Sequence, residues 1–336
     1  MPQVPLRRIE NRTALRIHPA GTLPRPTAAN MKIGVSTSTR SKLHFGSLAP
    51  DAEWQFKPEA MEKVRNVTKK LHPDVHLVKS IKMENFSLDK TVKCEENETS
   101  TSDIHCQTDY STNIGHYNTC AVVGNSGVLL GSRCGAEIDS KDYVIRIDIP
   151  PVIGYEKDVG RRSSMTVLNL SAPKRLQRFA RLKNLTQGVE SHLRNIGGTA
   201  LVTDKRSRRR MMSLARKYHL PFSWYTVKGS LRRGINPIAS RLANRKMGGN
   251  PTTGLVTVLM ATTFCDHPFL YGFFPFQEDA KDTPIPYHYY PGDYMYIKPI
   301  KQNEGGRHNM AREYNFFRNL HKQGVLKMHV GSCEEK

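Results

Sequence analysis

An apolar run enters a turn of small residues at Cys120-Ala-Val-Val-Gly-Asn-Ser-Gly127. An apolar strand ending in Gly-x-x-Gly lets backbone N–H groups approach an anionic ligand closely, with Asn125 and Ser126 as the side chains at hand. Pro251-Thr252-Thr253-Gly254 precedes an apolar helical pattern. Hydroxyls and unpaired N–H groups at a helix start suit an anion, and equally serve as an ordinary N-cap. His308 stands just before a helical pattern that begins at Asn309. The positive end of a helix disfavours imidazolium, which keeps such a ring neutral and able to accept a proton. His288 leads an aromatic pair, Tyr289 and Tyr290. The turn, the helix start and His308 together would provide an anion cradle and a general base. Neither Asp-x-Asp nor Cys-x-x-Cys occurs in the chain, so no metal is expected.

Strand and helix patterns alternate from Thr119 onward. Strands are expected at Thr119–Val123, Tyr143–Ile149, Met165–Leu170, Ala200–Val202, Phe222–Val227, Phe269–Phe274 and Val325–Val330. Helical spacing marks Pro173–Leu185, Met211–Tyr218, Leu255–Thr262 and Met310–Leu320. That order predicts an α/β fold with a Rossmann-like, mostly parallel central sheet flanked by helices. Ligands in such folds bind at the carboxyl ends of the strands, which points to the turns after Val123, Ile147 and Leu168.

The chain has 336 residues and a formal charge of +21. The first 90 or so differ from the rest: prolines and polar runs with few clustered apolar residues. Residues 1–90 are therefore expected to be a partly disordered stem or linker, with one helical pattern at Pro58–Leu71. Residues 91–336 are expected to form the catalytic domain. The segment from Arg206 to Lys246 is densely basic, which fits a solvated face or an acidic polymer lying along it. No zinc-finger spacing or aromatic RNP pattern supports nucleic acid. Asn-x-Ser/Thr acceptors at Asn11, Asn66, Asn85, Asn97, Asn169 and Asn184 lean towards a secretory chain. No apolar run reaches the roughly 20 residues that span a bilayer, so a secretory chain would need an anchor upstream of this sequence.

Four separated blocks resemble the animal sialyltransferases, in their alpha-2,8 branch. The large motif runs from Cys120 to about Gly160, including Val144-Ile-Arg146 and Lys157-Asp-Val-Gly160. The small motif is Pro251-Thr-Thr-Gly254 through Cys265, then Leu270-Tyr-Gly-Phe-Phe-Pro-Phe276. His288-Tyr-Tyr290 and His308-x-x-x-x-Glu313 complete the set. The resemblance implies the sialyltransferase variant of the GT-A fold, with CMP-sialic acid as donor and no metal or other cofactor. It implies His308 as catalytic base and His288 at the departing phosphate. Donor contacts are implied at Asn125, Ser126, Asp148, Asn169, Thr252, Thr253, Gly254 and Phe274. Disulfides Cys120–Cys265 and Cys134–Cys333 are implied as well; Cys94 and Cys106 are left to pair with each other or not.

The chain departs from the family pattern in places. Asp148 stands where the family usually has an asparagine facing the donor, and a carboxylate there would repel phosphate unless protonated or paired with a base such as Arg146. Phe274 replaces a usual tryptophan, and Pro291 follows His-Tyr-Tyr where an aspartate is common. The expectation is an inverting sialyltransferase of the Golgi lumen, a type II membrane protein anchored through a missing N-terminal segment. It would add sialic acid in alpha-2,8 linkage to a sialylated glycoprotein or glycolipid. In polymerising members a basic region upstream of the small motif binds polysialic acid, so oligo- or polysialylation is included. The alternatives are a catalytically weak polyanion-binding protein on a transferase scaffold, and a sialyltransferase of another linkage.

Overall fold

The computed structural model of the chain describes residues 54–80, 114–169, 172–179, 199–220, 222–279, 283–290 and 308–333, with isolated positions at 190, 193, 194 and 196. They build one sheet from β1 (Leu77–Ser80), β2 (Tyr117–Val123), β3 (Tyr143–Ile147), β4 (Met165–Val167), β5 (Ala200–Thr203), β6 (Ser223–Val227), β7 (Cys265–Tyr271) and β8 (Lys327–His329). The order is β1-β6-β5-β4-β3-β2-β7-β8. Every pairing is parallel except that of β1 with β6. From β2 the chain lays down β3 to β6 on one side, then returns to place β7 on the other. That reversal puts a crevice at the carboxyl ends of β2, β3 and β7, where a doubly wound fold holds its ligand.

Burial on both faces explains the near-continuous apolar strands. Every residue of β3 is buried, including Arg146. The helices are α1 (Pro58–Thr68), α2 (Pro73–His76), α3 (Gly135–Asp139), α4 (Glu156–Val159), α5 (Ala172–Phe179), α6 (Lys205–Tyr218), α7 (Gly229–Ala243), α8 (Thr253–Ala261) and α9 (Met310–Lys322). Val122 and Ile145 share one core with Ile235 of α7, Leu259 of α8 and Phe316 of α9. Val123 and Val144 point the other way, to Ile138 of α3, and Leu201 packs with Met211 of α6. From Leu255 to its end α8 is buried at every position, as expected of a helix that is apolar all round.

Described residues upstream of position 90 take part in the fold. Met61, Val64, Leu71 and Leu77 lie in the main core. Arg65 Nη2 donates to the Cys265 carbonyl at 3.0 Å, and the hydroxyls of Thr68 and Thr262 meet at 3.0 Å. Pro58 at the first turn and Glu59 beside it suit a helix start, so α1 forms where its pattern predicts. The four-residue edge strand β1 carries too short a pattern to read.

Two boundaries have local causes. β3 stops at Ile147 because Asp148 turns to φ 62° and Pro150-Pro151 follow. β7 starts at Cys265 rather than at Phe269, despite Pro268. Its neighbour β8 pairs only with Phe269–Tyr271. Pro268 thus lies where β7 has a partner on one side, a position in which a missing N–H is tolerated.

Cys120–Cys265 and Cys134–Cys333 are both disulfide-bonded. Cys94, Cys106, Pro291 and the sequons at Asn11, Asn85, Asn97 and Asn184 lie outside the described residues. Among the described residues no helix is long and apolar enough to cross a membrane. The Cys120–Cys265 bridge closes a separation of 145 residues. Replacing both cysteines by alanine should cost about 3–5 kcal/mol, measured by chemical denaturation. A loss below about 1 kcal/mol would show that the parallel β2–β7 ladder holds these strands unaided.

Candidate active site

The crevice is an open cleft of about 810 Å³. Asn125, Ser126, Asp148, Asn169, Thr252, Thr253, Gly254, Phe274, His288 and His308 all line it. They come from the ends of β2, β3 and β4, the starts of α8 and α9, and the loop beyond β7.

The turn after β2 is tight for the protein's own sake. A Cβ on Gly124 would fall 2.5 Å from the Gly272 carbonyl, and one on Gly127 would fall 2.2 Å from that of Pro286. The glycines therefore admit neighbouring backbone, not ligand, at these two points. Ser126 donates its hydroxyl to the Phe274 carbonyl at 2.7 Å, and its N–H to the Gly272 carbonyl at 3.2 Å. It bolts the turn to the segment after β7 and has no proton left for a donor nucleotide. Asn125 donates Nδ2 to the Ile147 carbonyl at 3.0 Å, which leaves its Oδ1 buried without a partner. Phe274 is buried edge-on to Phe276 and Tyr314.

Thr252 caps α8: its Oγ1 accepts from Leu255 N at 3.0 Å. The same hydroxyl donates to Glu313 Oε2, and Thr252 N donates to Glu313 Oε1 at 3.0 Å. Thr252 is thus committed to the protein rather than offered to an anion. The N–H groups of Thr253 and Gly254 have no acceptor among the described residues. They are the orphan donors of the α8 start, and both residues face the cleft.

His308 Nδ1 lies 2.7 Å from the Asn250 carbonyl. A carbonyl only accepts, so Nδ1 carries the proton and a neutral ring keeps its lone pair on Nε2. The ring is exposed, and Asn309 behind it caps α9 by accepting from Arg312 N at 3.0 Å. His288 is sandwiched by Tyr287 and Tyr290, with ring centroids 4.4 Å and 5.1 Å away.

The segment before α8 is gripped from both sides. Arg312 Nη1 donates to the carbonyls of Lys246 and Met247 at 3.2 and 3.1 Å. Asn236 Nδ2 donates to that of Gly249 at 2.6 Å, and Arg232 Nη1 to that of Pro251 at 3.4 Å. Arg232 Nη2 also reaches Thr253 Oγ1 at 3.5 Å, and Arg232 and Arg233 both line the cleft. Sequence reasoning marked these arginines only as members of a basic run, and Asn250 bore no signal at all.

Arg146 does not pair with Asp148. Its Nε donates to the Arg162 carbonyl at 2.9 Å, and Nη1 and Nη2 are buried without hydrogen bonds. Asp148 is held by Asn169 instead, whose N donates to Oδ1 at 2.8 Å and whose Nδ2 donates to Oδ2. Asn169 Oδ1 accepts from Ala172 N at 2.8 Å. Its side chain is therefore engaged internally, whether against a donor or a glycan. Among the described residues one cluster has the makings of a metal site, Glu137, His329 and Cys333. The Cys333 sulfur is in its disulfide, and none of the three lines the cleft.

Burial pushes the Glu313 carboxyl up to about 7, while the two Thr252 bonds pull it down. Below its ordinary value of 4.5 the group is protonated folded or unfolded. As pH rises through the folded value it must ionise inside the protein, and that stability is lost. Between about pH 5 and 8 the wild type should lose about 3 kcal/mol relative to Glu313→Gln. The measurement is the unfolding free energy of both proteins at each pH; a constant difference would refute the shift.

A model of glycosyltransferase family 29 (sialyltransferase) matches residues 65–325 of the chain. Mouse alpha-2,8-sialyltransferase 8F is 33% identical over 241 residues, covering 65% of this chain and 54% of that protein. The human protein of the same name is 30% identical over the same coverage. The chain thus spans about half the length of the curated relatives it matches. A mammalian sialyltransferase crystallised with Gal-beta-1-3GalNAc-ortho-nitrophenol is 21% identical, with a TM-score of 0.43 over 64% of this chain and 70% of that one. Another crystal structure of a mammalian sialyltransferase is 16% identical, with a TM-score of 0.45 over 88% and 87%.

Proposed function

The chain belongs to glycosyltransferase family 29, the sialyltransferases, and from that premise we propose that it moves sialic acid from CMP-sialic acid onto a sialylated glycan in alpha-2,8 linkage. One observation carries the mechanism: an imidazole with its Nε2 lone pair exposed and two unpartnered helix-start N–H groups share one cleft.

A sugar hydroxyl is a poor nucleophile until it loses its proton. His308 Nε2 takes that proton as the acceptor oxygen bonds to the anomeric carbon from the face opposite the phosphate. The bond from the anomeric carbon to the phosphate oxygen breaks, and CMP leaves with the electron pair. Thr253 N–H, Gly254 N–H and His288 donate to the phosphate as its charge grows. One attack from the opposite face inverts the anomeric centre. The donor's single phosphate is met by these groups, and no step is assigned to a metal.

The alpha-2,8 linkage is supported by the names of the curated relatives. An anionic acceptor is supported by Arg232 and Arg233 lining the cleft and by the basic residues that continue along α7. Sequons and paired cysteines support a secretory route with reaction in the Golgi lumen.

His308→Ala should lower kcat by about 10²–10⁴ and leave CMP binding within two-fold, roughly. Secreted protein, CMP-sialic acid and defined sialylated acceptors suffice for the assay. Full activity in the variant would remove the base assignment. Tight binding of sialylated glycans by the wild type, with no CMP released from any acceptor, would favour the polyanion-binding alternative. Arg233→Ala should raise KM for a sialylated acceptor by about 10-fold with little change in KM for CMP-sialic acid. Equal effects on both would place that arginine in the donor half of the cleft. Linkage analysis of the product decides alpha-2,8 against another linkage, and its chain length decides single addition against polymerisation.

A further inference from the structure

Cys134 precedes α3 and Cys333 follows β8. Their bridge adjoins the core layer of Val123, Val144 and Ile138, outside the cleft. His329, the last residue of β8, stands beside it. Its Nδ1 is 3.5 Å from the Cys333 sulfur. A bridged sulfur carries no proton, so it donates no hydrogen bond to that nitrogen. The imidazole is held from its other side. Nε2 faces Glu137 Oε1 at 3.1 Å, off the line of an ideal hydrogen bond. The ring lies flat on Tyr271, with centroids 4.6 Å apart and planes at 12°. Tyr271 Oη donates to the same Glu137 oxygen at 2.8 Å, and Lys141 Nζ approaches it at 3.4 Å. The His329 side chain is only 7% exposed.

An imidazole nitrogen beside sulfur, with a carboxylate behind the ring, is the arrangement of a metal-ligating histidine. The spacing fits as well. With zinc bonds of about 2.3 Å to sulfur and about 2.0 Å to nitrogen, tetrahedral geometry sets the two ligand atoms about 3.5 Å apart. Thiolate and imidazole together suit zinc. Two thiolates and one imidazole leave the fourth position to water or to Glu137, whose carboxylate lies within 4.8 Å of the other ligand atoms.

We propose that Cys134, Cys333 and His329 bind a zinc ion once the bridge between the cysteines is reduced, with Glu137 orienting the histidine. A dithiol gives up two electrons and two protons and closes to its own disulfide, and the two cysteines become thiols. Zinc displaces both protons, and its bonds to the two sulfurs replace the cross-link between α3 and β8. The sulfurs then stand about 3.8 Å apart, each side chain having turned about its Cα–Cβ bond. Cys333 is half-buried, whereas Cys120 and Cys265 are 0% exposed, so a reductant reaches this bridge first.

The full chain, treated with limiting dithiol under native conditions, is alkylated with and without zinc, and peptide mass mapping reads each cysteine. Cys134 and Cys333 should open while Cys120 and Cys265 stay bridged, and zinc should slow alkylation of both opened thiols. Competition against a chromophoric chelator gives the zinc affinity of the reduced chain. Glu137→Gln should weaken it by about 10–100-fold, and His329→Ala by at least as much. Unchanged affinity in His329→Ala would overturn the proposal. So would alkylation of Cys134 and Cys333 at the same rate with and without zinc, a result the wild type gives even if neither variant folds. Protection of Cys94 or Cys106 instead, or opening of this bridge only together with Cys120–Cys265, would overturn it too.

Discussion

Residues 246–252 have little secondary structure, yet they hold the cleft together. Their carbonyls accept from Arg312, Asn236, His308 and Arg232, and Thr252 is fastened to Glu313 by two hydrogen bonds. These side chains come from α7, α9 and the residue just before α9's cap, so two helices far apart in sequence grip one short loop. A backbone group without a partner in a partly buried loop costs free energy. Satisfying several from both sides fixes the loop and, with it, the start of α8 that the loop leads into. His308 and the start of α8 are therefore parts of one connected unit: His308 is hydrogen-bonded to Asn250, two residues before the α8 cap.

The opposite wall is built by equally close contact. The turn after β2 sits against Gly272 and Pro286 at distances only glycine permits, and Ser126 ties it to Phe274. The Cys120–Cys265 bridge joins β2 and β7 in the layer beneath. Several residue types that suggest ligand binding are thereby engaged in keeping the walls in place. Ser126, Thr252 and Asn169 each direct their side chains to protein partners. What the cleft still offers includes the N–H groups of Thr253 and Gly254, the Nε2 of His308, the Oδ1 of Asn125 and the guanidinium of Arg233.

Charge around the cleft is divided between its two sides. The positive helix start and the arginines lie on the α7–α8 side, while Asp148 closes the carboxyl end of β3. Glu313, the other carboxyl lining the cleft, is buried and turned to Thr252. A chain with a net charge of +21 could bind almost any polyanion weakly.

Periodicity determined much of the architecture, because alternating apolar strands and helices must bury both faces of a parallel sheet. β2, β3 and β6 fall close to their expected spans, and α8 and α9 form where apolar spacing marks them. The small-residue turn, the Thr-Thr-Gly start and the two histidines are each weak signals alone; their order along the chain, which resembles a family pattern, is what singles them out. Local pattern could not reveal α7, whose basic residues and internal Pro237 hide its apolar face, or the four-residue β1. Nor could it tell which polar groups stay available. Ser126 and Thr252 looked like ligand contacts until long-range partners, Phe274 and Glu313, were seen to hold them. The sequence alone determined which residues can do the chemistry, through their types and their places at strand and helix ends. The tertiary structure alone decided which of them have a proton, a lone pair or an N–H left to use, because hydrogen-bond partners are set by residues distant along the chain.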